Sequence, residues 1–346
     1  MSRPNALINF YSDTQTQPMR AMLETALTAP VGDEQRGDDP TTNALCERVA
    51  DLLGQEAAVF LPSGTMCNEI ALAVHTAPGD EVICERLSHI VTAEGGGPAA
   101  ISGLMINMID GDRGRFTAEQ LAAHVRFPSR YEPRSRVVSV ENTANYGGGA
   151  VWDLAALQGV ISAGREAGLA VHMDGARLMN AAVQSGHAAA DFAGGCDSVW
   201  IDFTKGLGAP VGAVLAGSQA FIDEAWRYKQ RFGGAMRQSG VVAAMCNYAL
   251  DHNVDRLAED HDLATGIAAE LEGMSGIAHV IAPETNIVIF DLAEDAMAAN
   301  EVIEAMAEHN IRFGALGPRR MRIVTHLDVD EAAAKTLCGA LRGCLG

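Results

Sequence analysis

The sequence predicts an α/β fold: a parallel or mixed sheet covered by helices on both faces, followed by a smaller C-terminal α+β unit. Two observations carry this. Short apolar strand-like runs alternate with helical stretches up to about residue 250, and beyond it the order becomes helix, strand, helix, strand, helix. The length, 346 residues with 48% hydrophobic and 20% charged, supports a large core and places the chain among globular proteins.

The elements follow in order. Residues 41–53 (TTNALCERVADLL) have apolar side chains at helical spacing, and Asp39-Pro40-Thr41 supplies a cap and a proline suited to the first turn. Residues 57–61 (AAVFL) form a short apolar strand that ends in Pro62-Ser63-Gly64-Thr65, and residues 67–75 (CNEIALAVH) form the next helix. Strands are expected at 81–84 (EVIC), 136–141 (RVVSVE), 169–174 (LAVHMD), 198–203 (SVWIDF) and 211–217 (VGAVLAG), with a helix over 153–168. The C-terminal unit reads as a long helix (255–272), a strand (286–292), a helix (299–310), a strand (321–327) and a closing helix (330–345). This divides the chain into an N-terminal arm (1–18), a large domain (19–250) and a small domain (251–346).

The formal net charge is −19, from 44 acidic against 25 basic residues, so the chain lacks the basic footprint of a nucleic-acid binder and is repelled by anionic membrane surfaces. No apolar run is long enough to span a bilayer, and the N-terminus shows no secretory pattern. Seven scattered cysteines with no Cys-x-x-Cys pair argue against a disulfide framework or a structural zinc site, and for a reducing cytoplasm. No metal site is expected.

Only Lys205, Lys229 and Lys335 are lysines. Lys205 leaves the end of an apolar strand, in Thr204-Lys205-Gly206, where open α/β sheets bind ligands, and it suits a Schiff-base amine. Asp174 ends another strand. It either caps a helix or holds a proton on a heterocyclic nitrogen. Ser63-Gly64-Thr65, between a strand and a helix, is either an ordinary cap or a phosphate cradle. His89, just past a strand and followed by Glu94 and three glycines, is a candidate acid or base. Gly206, Gly208 and Gly212 imitate a dinucleotide fingerprint, but Pro210 interrupts them and a strand follows rather than a helix. Phosphate cradle, strand-end Asp, strand-end Lys and a histidine are together the parts that pyridoxal phosphate needs.

These parts lie in stretches that identify a family. SDTQTQP (12–18), APVGDE and GDDPTTNAL (29–34 and 37–45), EAAVFLPSGTMCN (56–68), SHI (88–90), ENTAN (141–145), VHMDGARLMNA (171–181), TKGLGAPVGAVLAG (204–217), GGAMRQSG (233–240) and MRIVTHLDV (321–329) resemble the threonine aldolase/β-eliminating lyase family of pyridoxal-phosphate enzymes. The resemblance implies the aspartate-aminotransferase-like fold (fold type I). By it, Lys205 holds the cofactor covalently, Asp174 pairs with the pyridinium nitrogen, and Ser63, Gly64, Thr65 and Thr204 lie at the cofactor. His89 stacks on the ring and acts as base. Ser12, Arg177 and Arg322 bind the substrate α-carboxylate. Arg237 reaches the site from a neighbouring subunit, implying a homodimer or homotetramer.

The reaction implied is cleavage of a threonine-like β-hydroxy-α-amino acid to glycine and an aldehyde. β-Elimination, and cleavage of phenylserine or β-hydroxyaspartate, are alternatives. Three departures bear on the substrate. Ala144 stands where the family has histidine and is expected to open space; Tyr11 stands where it has arginine; Arg36 stands where it has tyrosine, and is expected to put a cation near the substrate.

Overall fold

The computed structural model describes residues 7–346, so the first six residues of the expected arm lie outside the described residues. The strands are β1 (Ile8–Asn9), β2 (Ala57–Leu61), β3 (Glu81–Glu85), β4 (Met105–Ile109), β5 (Ser135–Glu141), β6 (Ala170–Gly175), β7 (Ser198–Asp202) and β8 (Ala213–Gly217), then β9 (Ile277–Ile281), β10 (Ile287–Leu292), β11 (Ile311–Arg312), β12 (Gly314–Ala315) and β13 (Arg320–Val324). Seven of them form the large sheet, in the order β2-β8-β7-β6-β5-β3-β4. β8 runs antiparallel to both its neighbours, and every other neighbouring pair is parallel. The second sheet is antiparallel, in the order β12-β13-β10-β9.

Each strand of the large sheet splits its side chains between two layers, as a two-residue period requires. Phe60, Val199 and Ile201 join one buried cluster, while Val59, Leu61 and Trp200 join another on the opposite face. The second cluster is closed by helix Gly64–His75, which begins three residues earlier than the sequence pattern suggested. Ser63 caps it: its Oγ accepts from the Met66 N–H at 3.3 Å. Helix Pro40–Leu53 starts at the expected Asp39 cap.

Sequence reading missed β4 and β9. Both are edge strands with exposed positions, Met105 and Met108 among them, so neither has the fully apolar signature of a central strand. The segment after Gly206, Gly208 and Gly212 leads into strand β8 rather than a helix.

The arm is tied down by the C-terminal unit. β1 pairs in parallel with β11, Phe10 N–H donates to the Arg312 carbonyl at 2.7 Å, and Phe10 is buried in the small unit's core. That anchoring delivers Ser12 and Asp13 to the mouth of the large sheet.

Candidate active site

Strands β5, β6 and β7 are parallel neighbours, so their C-terminal ends lie on one edge, with Glu141, Asp174 and Trp200 in register across them. Lys205 follows the end of β7 by three residues. A cleft of about 240 Å³ opens at this edge. Among its lining residues are Ser12, Gly64, Thr65, His89, Asp174, Arg177, Lys205 and Arg322. A larger groove, about 860 Å³, lies between helices Leu257–Leu271 and Glu331–Leu345. Its Lys335 and Arg342 are exposed and pair with Glu331 and Glu270, and its buried Asp260 is already paired with Arg256.

Asp174 is 3% exposed, and both its oxygens are engaged. Oδ1 accepts from the Ala176 N–H at 3.0 Å and Oδ2 from Asn68 Nδ2 at 2.9 Å. It is not a helix cap, because the next helix starts at Leu178 behind Arg177. Asn68 uses all four of its hydrogen-bonding positions: Nδ2 also donates to Glu94, while Oδ1 accepts from Trp200 Nε1 at 2.7 Å and bonds His172 Nε2 at 3.0 Å. His172 continues to Ser198, and Ser198 to His75. Burial pushes both imidazoles down, to about 3 and about 4, so this chain of contacts is uncharged at neutrality.

Lys205 is not a lone amine. Its Nζ is hydrogen-bonded to the buried carboxylate of Asp202, whose other oxygen accepts from the N–H and Oγ1 of Thr204 at 2.9 and 2.8 Å. Sequence reading missed Asp202, although an acid ending the apolar run SVWIDF was the visible signal.

At the turn expected to cradle a phosphate, Ser63 caps the helix while Gly64 and Thr65 face the cleft. A Cβ at Gly64 would lie 2.1 Å from the Trp200 ring, so only glycine lets the backbone N–H groups and the indole share this place. These free helix-terminal N–H groups, the amine and the buried acid fit a phosphorylated pyridine aldehyde.

The two arginines expected to hold a carboxylate are in different states. Arg177 donates through Nε and Nη2 to both oxygens of Asp13, each at 2.7 Å, and through Nη1 to Asn145 at 3.3 Å. Although burial opposes ionisation, Arg177 holds the Asp13 carboxyl well below its ordinary value. Arg322 has no carboxylate partner among the described residues. Its Nη2 donates to Asn145 at 2.7 Å, and its buried Nε has no partner at all. Burial, and then the nearby Arg177, pull its pKa to about 10, which leaves it cationic at neutral pH. Arg322 is therefore the free fork.

Asp13→Asn removes one partner of a buried ion pair and should cost about 3–5 kcal/mol of stability, read as a lower midpoint in denaturant unfolding at pH 7. The Asp13 pKa is depressed by folding. Its contribution is therefore present above the unfolded value of 3.8 and is lost as pH falls below it, so the variant and the parent should converge in acid. Equal midpoints at pH 7 would count against this.

The His89 backbone N–H donates to Glu141 at 2.7 Å, and its Nδ1 bonds Glu94 at 2.7 Å. Burial works against its protonation, but the Glu94 bond and the charges of Asp174 and Glu141 outweigh it and raise its pKa. Burial, and then Asp174, push Glu141 itself up to about 7.

Arg36 and Arg237 do not line this cleft within the chain, and Arg237 is expected there only from a neighbouring subunit. Both are exposed on either side of Asp33, at 3.8 and 3.1 Å, because the short turn Glu34–Arg36 is fastened to the 236–237 segment at the surface. Ala144 does not open the cleft either. It is 2% exposed, packed against Gly114 and Gly147, and the space beside it has no room for a water molecule. Tyr11 is partly exposed under the Arg312 guanidinium, 4.6 Å from its ring centre.

The family model described as β-eliminating lyase matches residues 9–295 of the chain. This protein belongs to that family. The low-specificity L-threonine aldolase of Escherichia coli (strain K12) is 40% identical over 326 residues, 94% of this chain and 95% of the relative. The low-specificity L-threonine aldolase 1 of Arabidopsis thaliana is 37% identical, covering 94% and 92%. Among solved structures, the threonine aldolase of Leishmania major aligns at a TM-score of 0.85 over 98% of this chain and 99% of its own, at 21% identity. A serine palmitoyltransferase of Sphingomonas wittichii aligns at 0.77 and 17% identity, covering 98% and 87%. At those identities the structures establish the shared fold. The matched region contains the Lys205, Asp174 and His89 edge of the sheet.

Proposed function

We propose that the protein is a pyridoxal-phosphate-dependent aldolase that cleaves a threonine-like β-hydroxy-α-amino acid to glycine and an aldehyde. The observation that carries this reading is Arg322, a buried guanidinium with an unsatisfied Nε in the same cleft as Lys205 and Asp174. The identity to L-threonine aldolases over nearly the whole chain supports the choice of reaction.

When bound, the cofactor supplies an electron sink for charge developing at the substrate's Cα. The protein's own groups do the rest. Lys205 would hold the cofactor, with Asp202 holding the amine when it is free. Asp174, fixed by Asn68 and the Ala176 N–H, keeps the ring nitrogen protonated. Arg322 and Ser12 orient the α-carboxylate. His89 presents its unbound Nε2 to receive the β-hydroxyl proton.

Incubation with L-threonine and analysis of products tests the reaction: glycine with acetaldehyde supports it, whereas a keto acid with ammonia would replace it with β-elimination. Arg322→Leu should raise KM on the order of 10- to 100-fold, one or two charge-assisted hydrogen bonds' worth, with a smaller change in kcat. An unchanged KM would remove Arg322 from the carboxylate site.

Arg36 and Arg237 belong, in this reading, at the mouth of a neighbouring copy's cleft, in a homodimer or homotetramer. Their exposure and their side-by-side placement at Asp33 support it, and a fully active monomer in light scattering would overturn it. The free state of all seven cysteines, five of them buried, supports a cytoplasmic location. No helix among the described residues is long and apolar enough to cross a membrane.

A further inference from the structure

Glu69 interrupts the apolar helix Gly64–His75 and is 3% exposed. Neither of its carboxyl oxygens has a hydrogen-bond partner, nor does Oε2 of Glu94, whose side chain is fully buried. The other oxygen of Glu94 is in full use: it bonds His89 Nδ1 at 2.7 Å and accepts from Asn68 Nδ2 at 2.6 Å. Room for Glu69 is made by Gly97, where a Cβ would come 1.9 Å from Glu69 Oε1. Two buried, facing carboxyls without a cation between them do not both ionise. One proton placed between them satisfies the orphaned atoms on both sides.

We propose that Glu69 and Glu94 share a single proton at neutral pH, Glu69 donating it to Oε2 of Glu94, and that this acid pair fixes the His89 imidazole with Nδ1 bound and Nε2 free. Glu69 and Glu94 are positioning residues that act through His89. The proposal depends on the aldolase reading only where it concerns turnover.

Burial, and then the charge and hydrogen bond of Glu94, push Glu69 up to about 8. His89 is faced by Glu94, Asp174 and Glu141. As pH rises past about 8, Glu69 gives up the shared proton. A second negative charge then stands near the imidazole and makes it more basic.

The test begins with the cofactor-free protein, so that it is independent of turnover. Infrared spectra of the parent minus those of Glu69→Gln, in which the contribution of Glu141 cancels, should show a protonated-carboxyl C=O band at neutral pH that disappears on passing pH 8. NMR titration should show an alkaline step in the His89 ring signals that is absent in Glu69→Gln, an isosteric variant that keeps a donor to Glu94. Glu94→Gln should lower the His89 pKa by about one unit. In the loaded enzyme, Glu69→Gln should flatten an alkaline limb of kcat/KM and leave KM nearly unchanged. A difference spectrum without the band, or a His89 step that persists in Glu69→Gln, overturns the proposal even if threonine is cleaved. If threonine is not cleaved but the band and step behave as stated, the acid pair stands and the reaction assignment falls. Should Glu69→Gln not fold, Glu69→Leu takes its place in the subtraction, and the same outcomes decide.

Discussion

Lys205→Ala is expected to remove visible absorbance due to covalently held cofactor, and borohydride-fixed cofactor with it, and to lower kcat by at least about 10³-fold. The size follows from the chain's chemistry. Lys229 is wholly buried against Glu34, and Lys335 pairs with Glu331 in solvent, so neither can substitute. The fold should survive, because the lysine side chain is partly exposed and its loss leaves Asp202 with the N–H and Oγ1 of Thr204 as donors. A variant that melts like the parent but shows no covalent cofactor separates chemistry from folding. A variant that still forms the borohydride adduct would end the assignment of this amine.

Asp174→Asn comes next in size. It keeps the shape and the Ala176 contact but removes the negative charge expected to face the ring nitrogen. Loss of one preorganised electrostatic partner of a developing charge lowers kcat on the order of 10²–10³-fold. Cofactor should remain attached, since Lys205 and the Gly64–Thr65 helix terminus are untouched. The diagnostic result is therefore a coloured, nearly inactive protein. Unchanged kcat would mean that Asp174 only anchors Asn68.

Much of this site was legible in the sequence because its parts sit at element boundaries. Asp174 lies at the end of an apolar strand, Lys205 just past one, and Gly64 between a strand and a helix, so local pattern alone puts them at sheet ends. The partners of those residues were not legible. Asn68 and Glu69 are two polar residues in an apolar helix, and nothing in their spacing shows that one joins Asp174 to Glu94 while the other faces Glu94. Asp13 reads as part of a loop until the arm pairs with β11 and sets it against Arg177. The edge strands β4 and β9 were missed for a related reason: half-solvated strands lack the apolar run that marks central ones.

By itself, then, the sequence determined the α/β class and placed Lys205 and Asp174 at strand ends and Gly64 between a strand and a helix, because each is a local pattern of hydrophobicity and turn chemistry. Only the tertiary structure decided which arginine is free, which acid steadies the lysine, and that Arg36 and Arg237 lie outside the chain's own cleft. Pairing between charges far apart in the chain is set by how the arm, the small sheet and the large sheet pack. A buried guanidinium or carboxylate is then available, or spent, according to the one partner that packing brings within hydrogen-bond reach.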